Sequence, residues 1–316
     1  MIEQKGTAVA GTAISTLHPE KVERRQFMER RRNLVMDAAD AALRVRQSAG
    51  LGIWMPISIY DVAEELGLEV RFVDISSMEG MYCKTATPFI LVSSLRPSGR
   101  QAFTCAHELG HHIYKHGTRI DELVDRPTAK SRFDSEEFLA DCFAGFLLMP
   151  KSAVSRAFAS RGWDIRSCTP LQLYNIAGSF GVGYTTLIQH LSSTLNLLPR
   201  SRANELARIS PKQIRSAQLG RETREDLVLV DTQWDGRAID IQVGDLVQLP
   251  TDVVGEGMCV SLSEQGKEGL LFRGAVPGVG RFHQPSTGWS ASVRVSRRGY
   301  VGRGIFRHLE EADDDE

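Results

Sequence analysis

The spacing of apolar positions changes partway along the chain. Up to about residue 198 most apolar residues recur at helical intervals of three and four. Beyond residue 226 they alternate in short runs. The first part predicts a long helix from Pro19 to about Ser48, with charges crowding its first half (EKVERRQFMERRR) and alanines filling its second. Pro19 suits a first helical turn. Ser58 is placed to cap a short helix, IYDVAEELG, that stops at Gly67. LEVRFVDI then alternates as a strand, and MYCKTATPFILVSS reads as a strand pair with Pro88 near the turn. Residues 101–116 form a helix, and an irregular charged stretch follows over 117–132. A second strong helix runs from Ser135 to Met149. Ser135 is its expected cap, Glu136 and Glu137 favour its positive end, and Pro150 marks its stop. Further helices fill 152–198, where LQLYNIAGSFGVGYTTLIQHLSSTLNLL is broken at Gly181-Val182-Gly183.

From Asp226 the runs DLVLVD, DIQVGDLVQLP, GMCVSLS, GLLFRG and ASVRVSRRG predict a small all-β region. The expected class is α+β, in six parts. Residues 1–17 are a small, polar and disordered start. Residues 18–150 hold the chemistry described below. Residues 151–200 are helical, 201–225 a polar linker, 226–309 a β-rich domain and 310–316 an acidic, solvated tail.

Composition narrows the function classes. The 316 residues are 42% hydrophobic and 24% charged, an ordinary globular mixture. Net charge is −1, and without the six acidic groups of the tail the rest carries +5. This does not describe a chain built throughout to coat nucleic acid, and the basic start of the first helix reads as a solvated face. Five cysteines, with no Cys-x-x-Cys pair, support neither a disulfide framework nor a zinc knuckle. The chain start lacks the pattern of a signal peptide, and no window approaches the roughly 18 continuous apolar residues of a membrane span. The expected location is the cytoplasm, with no membrane partner.

Candidate chemistry lies in CAHELGHHIYKH, residues 105–116, where His107-Glu108-Leu109-Gly110-His111 fits H-E-x-x-H. Residues four apart on a helix share a face, so His107 and His111 can bind one metal ion. Glu108 lies beside them, placed to take a proton from a water that the ion acidifies. The pentapeptide also occurs by chance, but Ala106, Leu109, Gly110 and Ile113 make this helix largely apolar. Imidazoles in such a setting need partners. A catalytic zinc needs a third protein ligand and an open position. The Ser135 helix offers Glu137, chosen over Glu136 because Leu139, Ala140, Phe143 and Ala144 set the buried face. Asp141, one turn on, can accept the other ring N–H of a histidine ligand. Tyr82, Lys84, His112, Tyr114 and His116 are candidate donors to a developing oxyanion, with Tyr82, His112 and Tyr114 foremost. A di-iron bundle would need two Glu-x-x-His motifs, and only Glu108-x-x-His111 is present.

RQAFTCAHELGHHIYKH (Arg100 to His116) followed by EEFLADCFAGFLLMP (Glu136 to Pro150) resembles the ImmA/IrrE-type metallopeptidases. The matching positions include Arg100, Phe103, Thr104, His107, Glu108, Gly110, His111, Glu137, Ala140, Phe143 and the Leu147–Pro150 run. Asp141 stands where Asn is common. The resemblance implies a gluzincin-like fold, a short sheet packed on the motif helix and the Glu137 helix. It implies zinc held by His107, His111 and Glu137, with Glu108 as general base. Manganese or iron suits the same donors. It also implies a protein substrate, a helix-turn-helix repressor of the XRE type, whose cleavage derepresses stress or mobile-element genes. LQLYNIAGSFGVGYTTLIQHL is similar to the family's helix-turn-helix-like segment, with Gly183 in place of a Ser cap and His190 in place of Arg. YTTLIQHLSS holds no Lys or Arg, so packing is expected of residues 165–195 before DNA binding. Two other readings stand beside the peptidase: a DNA-binding regulator with a structural metal, and a toxin–antitoxin partner acting by contact alone.

Overall fold

The computed structural model describes residues 19–122, 133–266 and 269–309. The expectations for residues 1–17, most of 117–132 and the tail 310–316 fall outside them. The helices are α1 (Pro19–Ser48), α2 (Ile59–Glu65), α3 (Ser98–Ile113), α4 (Ser135–Leu148), α5 (Lys151–Ala159), α6 (Pro170–Ser179), α7 (Tyr184–Gln189), α8 (Arg200–Ala207) and α9 (Pro211–Leu219). The strands are β1 (Glu69–Val73), β2 (Met78–Cys83), β3 (Phe89–Ser93), β4 (Arg119–Glu122), β5 (Leu227–Leu229), β6 (Ala238–Gln242), β7 (Leu246–Leu249), β8 (Val254–Glu256), β9 (Val260–Gly266), β10 (Gly269–Gly274), β11 (Gly278–His283), β12 (Ser290–Ser296) and β13 (Gly302–Arg303). The fold is α+β.

The first sheet runs β13-β1-β3-β2-β4. β1 and β3 are parallel, and β2 and β3 form the expected antiparallel pair. α3 lies between this sheet and α4, and α1 packs along α4. One continuous core joins these elements to α5–α9 through Phe143, Leu147, Phe158, Leu173 and Leu187. The later strands make two four-stranded sheets, β5-β7-β10-β9 and β6-β12-β11-β8, around Ile239, Val247, Phe272, Phe282 and Val293.

Several boundaries differ from the sequence expectation, each for a local reason. Asp134, not Ser135, caps α4, because its carboxylate accepts from the Glu136 and Glu137 backbone N–H groups. Residues 201–225, expected as a linker, hold all but the first residue of α8 and the whole of α9. A reciprocal cap between Ser210 and Gln213, with Pro211 in the first turn, starts α9 despite its polar composition. The irregular stretch after α3 begins with β4, which pairs with β2. β13 leaves the C-terminal region and pairs antiparallel with β1. Arg294 Nη1 donates to Asp61 Oδ2 at 2.9 Å, and the Arg307 guanidinium lies 4.9 Å over the Tyr60 ring. The Tyr174 hydroxyl donates to the Leu227 carbonyl at 2.6 Å. The C-terminal strands are therefore tied to both α2 and α6.

Two buried polar side chains brace the helices behind the site. Arg46 of α1 is 1% exposed. Its guanidinium donates to the carbonyls of Leu147 at 2.6 Å and Gly52 at 2.7 Å, and to that of Met55. The Leu147 carbonyl is among those the end of α4 leaves without a helical partner. Burial lowers the Arg46 pKa to about 10, so it stays charged at neutral pH. Arg46→Met removes all three bonds, and urea denaturation is expected to show a loss of about 3 kcal/mol.

His190 is also buried, and its Nε2–H donates to the Met149 carbonyl at 3.0 Å. The ring packs on Gly145, where a side-chain carbon would lie 2.6 Å from His190 Nδ1. Burial pushes this imidazole down to about 4 from an ordinary 6.5. Between those values the unfolded chain binds the proton and the folded chain does not. Stability therefore falls as pH drops from 6.5 toward 4, by about 3 kcal/mol for this group. His308, lowered to about 4 chiefly by burial, acts in the same direction. Unfolding free energies measured from pH 7 to 4.5 should show this slope, and His190→Gln should reduce it while leaving the His308 part.

Candidate metal centre

α3 and α4 can approach closely because their facing residues are small. A side-chain carbon on Gly110 would lie 3.1 Å from Phe143 Cδ1 and 3.2 Å from Ala140 Cα. Gly110 and Ala140 thus let α4 come near enough for Glu137, one turn before Ala140, to reach both histidines. His107 Nε2 lies 3.0 Å from His111 Nε2 and 3.2 Å from Glu137 Oε2, and His111 Nε2 lies 3.6 Å from Glu137 Oε1. These residues form a possible metal-holding group.

The outer nitrogens decide the protonation pattern. The His107 Nδ1–H donates to Asp141 Oδ1 at 2.9 Å. His111 Nδ1 lies 2.9 Å from His116 Nδ1. With protons on both Nδ1 atoms, both Nε2 atoms present lone pairs toward a carboxylate. Three electron-rich atoms so close together require a positive charge between them. Their separations bracket the edge of a tetrahedron, about 3.3 Å, for metal–ligand bonds of about 2.0–2.1 Å. The donor set fits a divalent cation. Exposure is uneven: His107 and His111 side chains are 7% and 0% exposed, Glu137 is 34%. The group is therefore closed on the histidine side and open on the other.

β2 supports the other face of the motif helix. Thr104, Glu108 and His112 follow each other at intervals of four along α3. Gly80 of β2 sits against the first two. A side-chain carbon there would collide with Thr104 Cγ2 and lie 3.1 Å from Glu108 Oε1. Tyr82, two residues along the same strand face, places its hydroxyl 2.9 Å from His112 Nδ1. Glu108 is fully buried between them. Burial lowers the His112 pKa, so the Tyr82 hydroxyl meets a neutral ring.

Tyr114 lies elsewhere. Its ring packs edge-on against Phe143 and stacks on His116 at 5.7 Å. His116, expected among oxyanion donors, sits behind His111. Lys84 is exposed after β2, where its backbone N–H donates to Thr118 Oγ1. The importance of Gly80 was not read from sequence, although a glycine inside a strand signals a close approach.

A cleft of about 690 Å³ reaches His107 and Asp141 from outside, between the start of α3, the α6–α7 turn and the C-terminal strands. Gly99 makes that geometry possible, since a side-chain carbon there would lie 2.7 Å from the Gly183 nitrogen. Phe103, Tyr184, Leu227 and Asp245 contribute to its walls. Tyr184, Leu187, Ile188 and His190 of the helix-turn-helix-like segment are buried in the core. Among the described residues no single helix is long and apolar enough to cross a membrane.

Residues 63–192 match the family described as the IrrE N-terminal-like domain, Peptidase_M78. No curated protein matches the chain. Among solved structures, a Mycobacterium tuberculosis transcriptional regulator is similar at 23% identity with a TM-score of 0.37, over 59% of this chain and 54% of its own. This chain thus spans about half the length of that protein.

Proposed function

We propose, from the match of residues 63–192 to the IrrE N-terminal-like domain of the ImmA/IrrE type, that this chain is a zinc-dependent endopeptidase cutting one specific protein. The observation that carries this reading is the convergence of His107, His111 and Glu137 on one point beside the buried Glu108. A divalent cation there would supply Lewis acidity toward the scissile carbonyl and toward an attacking water. Glu108 accepts the water's proton and passes it to the leaving amide nitrogen. Asp141 holds the His107 ring by its outer nitrogen. The hydrogen-bonded Tyr82–His112 pair, beside Glu108, is proposed to supply one donor to the developing oxyanion. Manganese or iron would satisfy the same nitrogen and oxygen donors.

The proposed substrate is a helix-turn-helix repressor, bound in the cleft beside His107, whose loss derepresses the genes it controls. Burial of Tyr184, Leu187, Ile188 and His190 favours a packing role for residues 165–195 over one on DNA. The test is co-incubation with a helix-turn-helix repressor encoded beside this chain's gene, with and without chelator, read by fragment mass. One discrete cut that chelator prevents is expected. An intact repressor after prolonged incubation with zinc-loaded protein would count against this substrate.

A further inference from the structure

His111 needs an orienting partner as much as His107 does, and the partner is not a carboxylate. Its Nε2 faces His107 Nε2 and Glu137, so its Nδ1 carries the proton. That proton points at His116 Nδ1, 2.9 Å away. On a continuing helix, five residues turn through about 140° from the starting face, and position 116 would not meet position 111. The end of α3 removes that difficulty. Lys115 adopts the left-handed conformation with φ 57°. Its N–H donates to the His112 carbonyl at 3.0 Å, and the His116 N–H donates to the His111 carbonyl at 2.9 Å. This paired closure folds the chain back over the last turn. It forms although a left-handed non-glycine residue costs roughly 1–2 kcal/mol. The returning imidazole is fixed on its flat side. Tyr114 stacks on it at 5.7 Å with planes 20° apart, and Tyr114 is itself held edge-on by Phe143, which is fully buried in α4.

We propose that His116 is the positioning residue of His111: its Nδ1 lone pair accepts the His111 Nδ1–H and fixes Nε2 toward the metal. It lies on the far side of His111 and takes no part as a ligand. The two metal histidines are then held by different chemistries, a carboxylate for His107 and an imidazole for His111. This inference rests on the metal-site reading above.

Its test compares wild type with His116→Leu and His116→Asn in the full chain, by zinc affinity in competition with a chromophoric chelator. Leu has nearly the shape of the ring's first half and no acceptor. Asn can place Oδ1 where His116 Nδ1 now stands. Zinc affinity is expected to fall by about 10–100-fold in His116→Leu and to return close to wild type in His116→Asn. Undiminished affinity in His116→Leu, or equal loss in both variants, would overturn the orienting role while leaving the metal site standing. Wild type that binds no zinc would overturn the metal-site reading and this inference together.

Discussion

Glu108→Gln is expected to keep the metal and to lose the proposed peptidase activity. The substitution preserves size and the burial of the side chain against Gly80, so the fold and the three metal-facing side chains should be undisturbed. What it removes is the lone pair basic enough to accept a proton. General acid–base groups contribute typically about 10²–10⁴-fold, and the rate of the proposed cleavage should fall by that factor with little change in KM. Glu108 lies beside the metal-facing histidines but does not join their group, which is why metal content and rate should separate in this variant. A Glu108→Gln enzyme that cleaves at the wild-type rate would leave the proton transfer without its carrier.

Glu137→Ala should do the reverse and remove the metal itself. It deletes the one charged member of the group, leaving two imidazoles whose Nε2 atoms stand 3.0 Å apart. The loss in affinity should exceed the roughly 10–100-fold that removing an outer partner costs. His107→Ala should behave alike. The protein should still fold, because Gly110, Ala140 and Phe143 pack without any metal. It should lose only the stabilisation a bound ligand confers, about 4 kcal/mol when metal is a thousandfold above its dissociation constant. A zinc-dependent rise in melting temperature, present in wild type and absent in Glu137→Ala, measures this directly.

The chemistry of the site was legible because it is local. His107, Glu108 and His111 occupy one helix, and four-residue spacing alone puts both imidazoles on one face. Glu137 and Asp141 could be inferred because the apolar pattern of α4 fixes which side meets α3. His116 was visible as a residue but not in its role, since that depends on a left-handed turn at Lys115, a position without the glycine that marks such turns. Gly80 acts from a strand 18 residues before the start of the motif helix, and only the packing of β2 against α3 reveals it. In the C-terminal region, β6 and β12 alternate cleanly and β7 and β10 are short apolar runs, so all four were legible. β11, Gly278–His283, is rich in glycine and hid its strand character. β13 is two residues long and pairs with a strand more than 200 positions earlier, a contact no local pattern encodes.

That long-range contact also changes what the C-terminal strands do. Tied to α2 through Asp61 and to α6 through Tyr174, they form one wall of the cleft that leads to His107.

The metal content of the purified chain, after loading with one equivalent of zinc and dialysis, tests the central claim most directly. Wild type and Glu108→Gln should each retain one metal ion per chain, and Glu137→Ala should retain almost none. Metal-free wild type, or a Glu137→Ala variant that keeps its full complement, would contradict it.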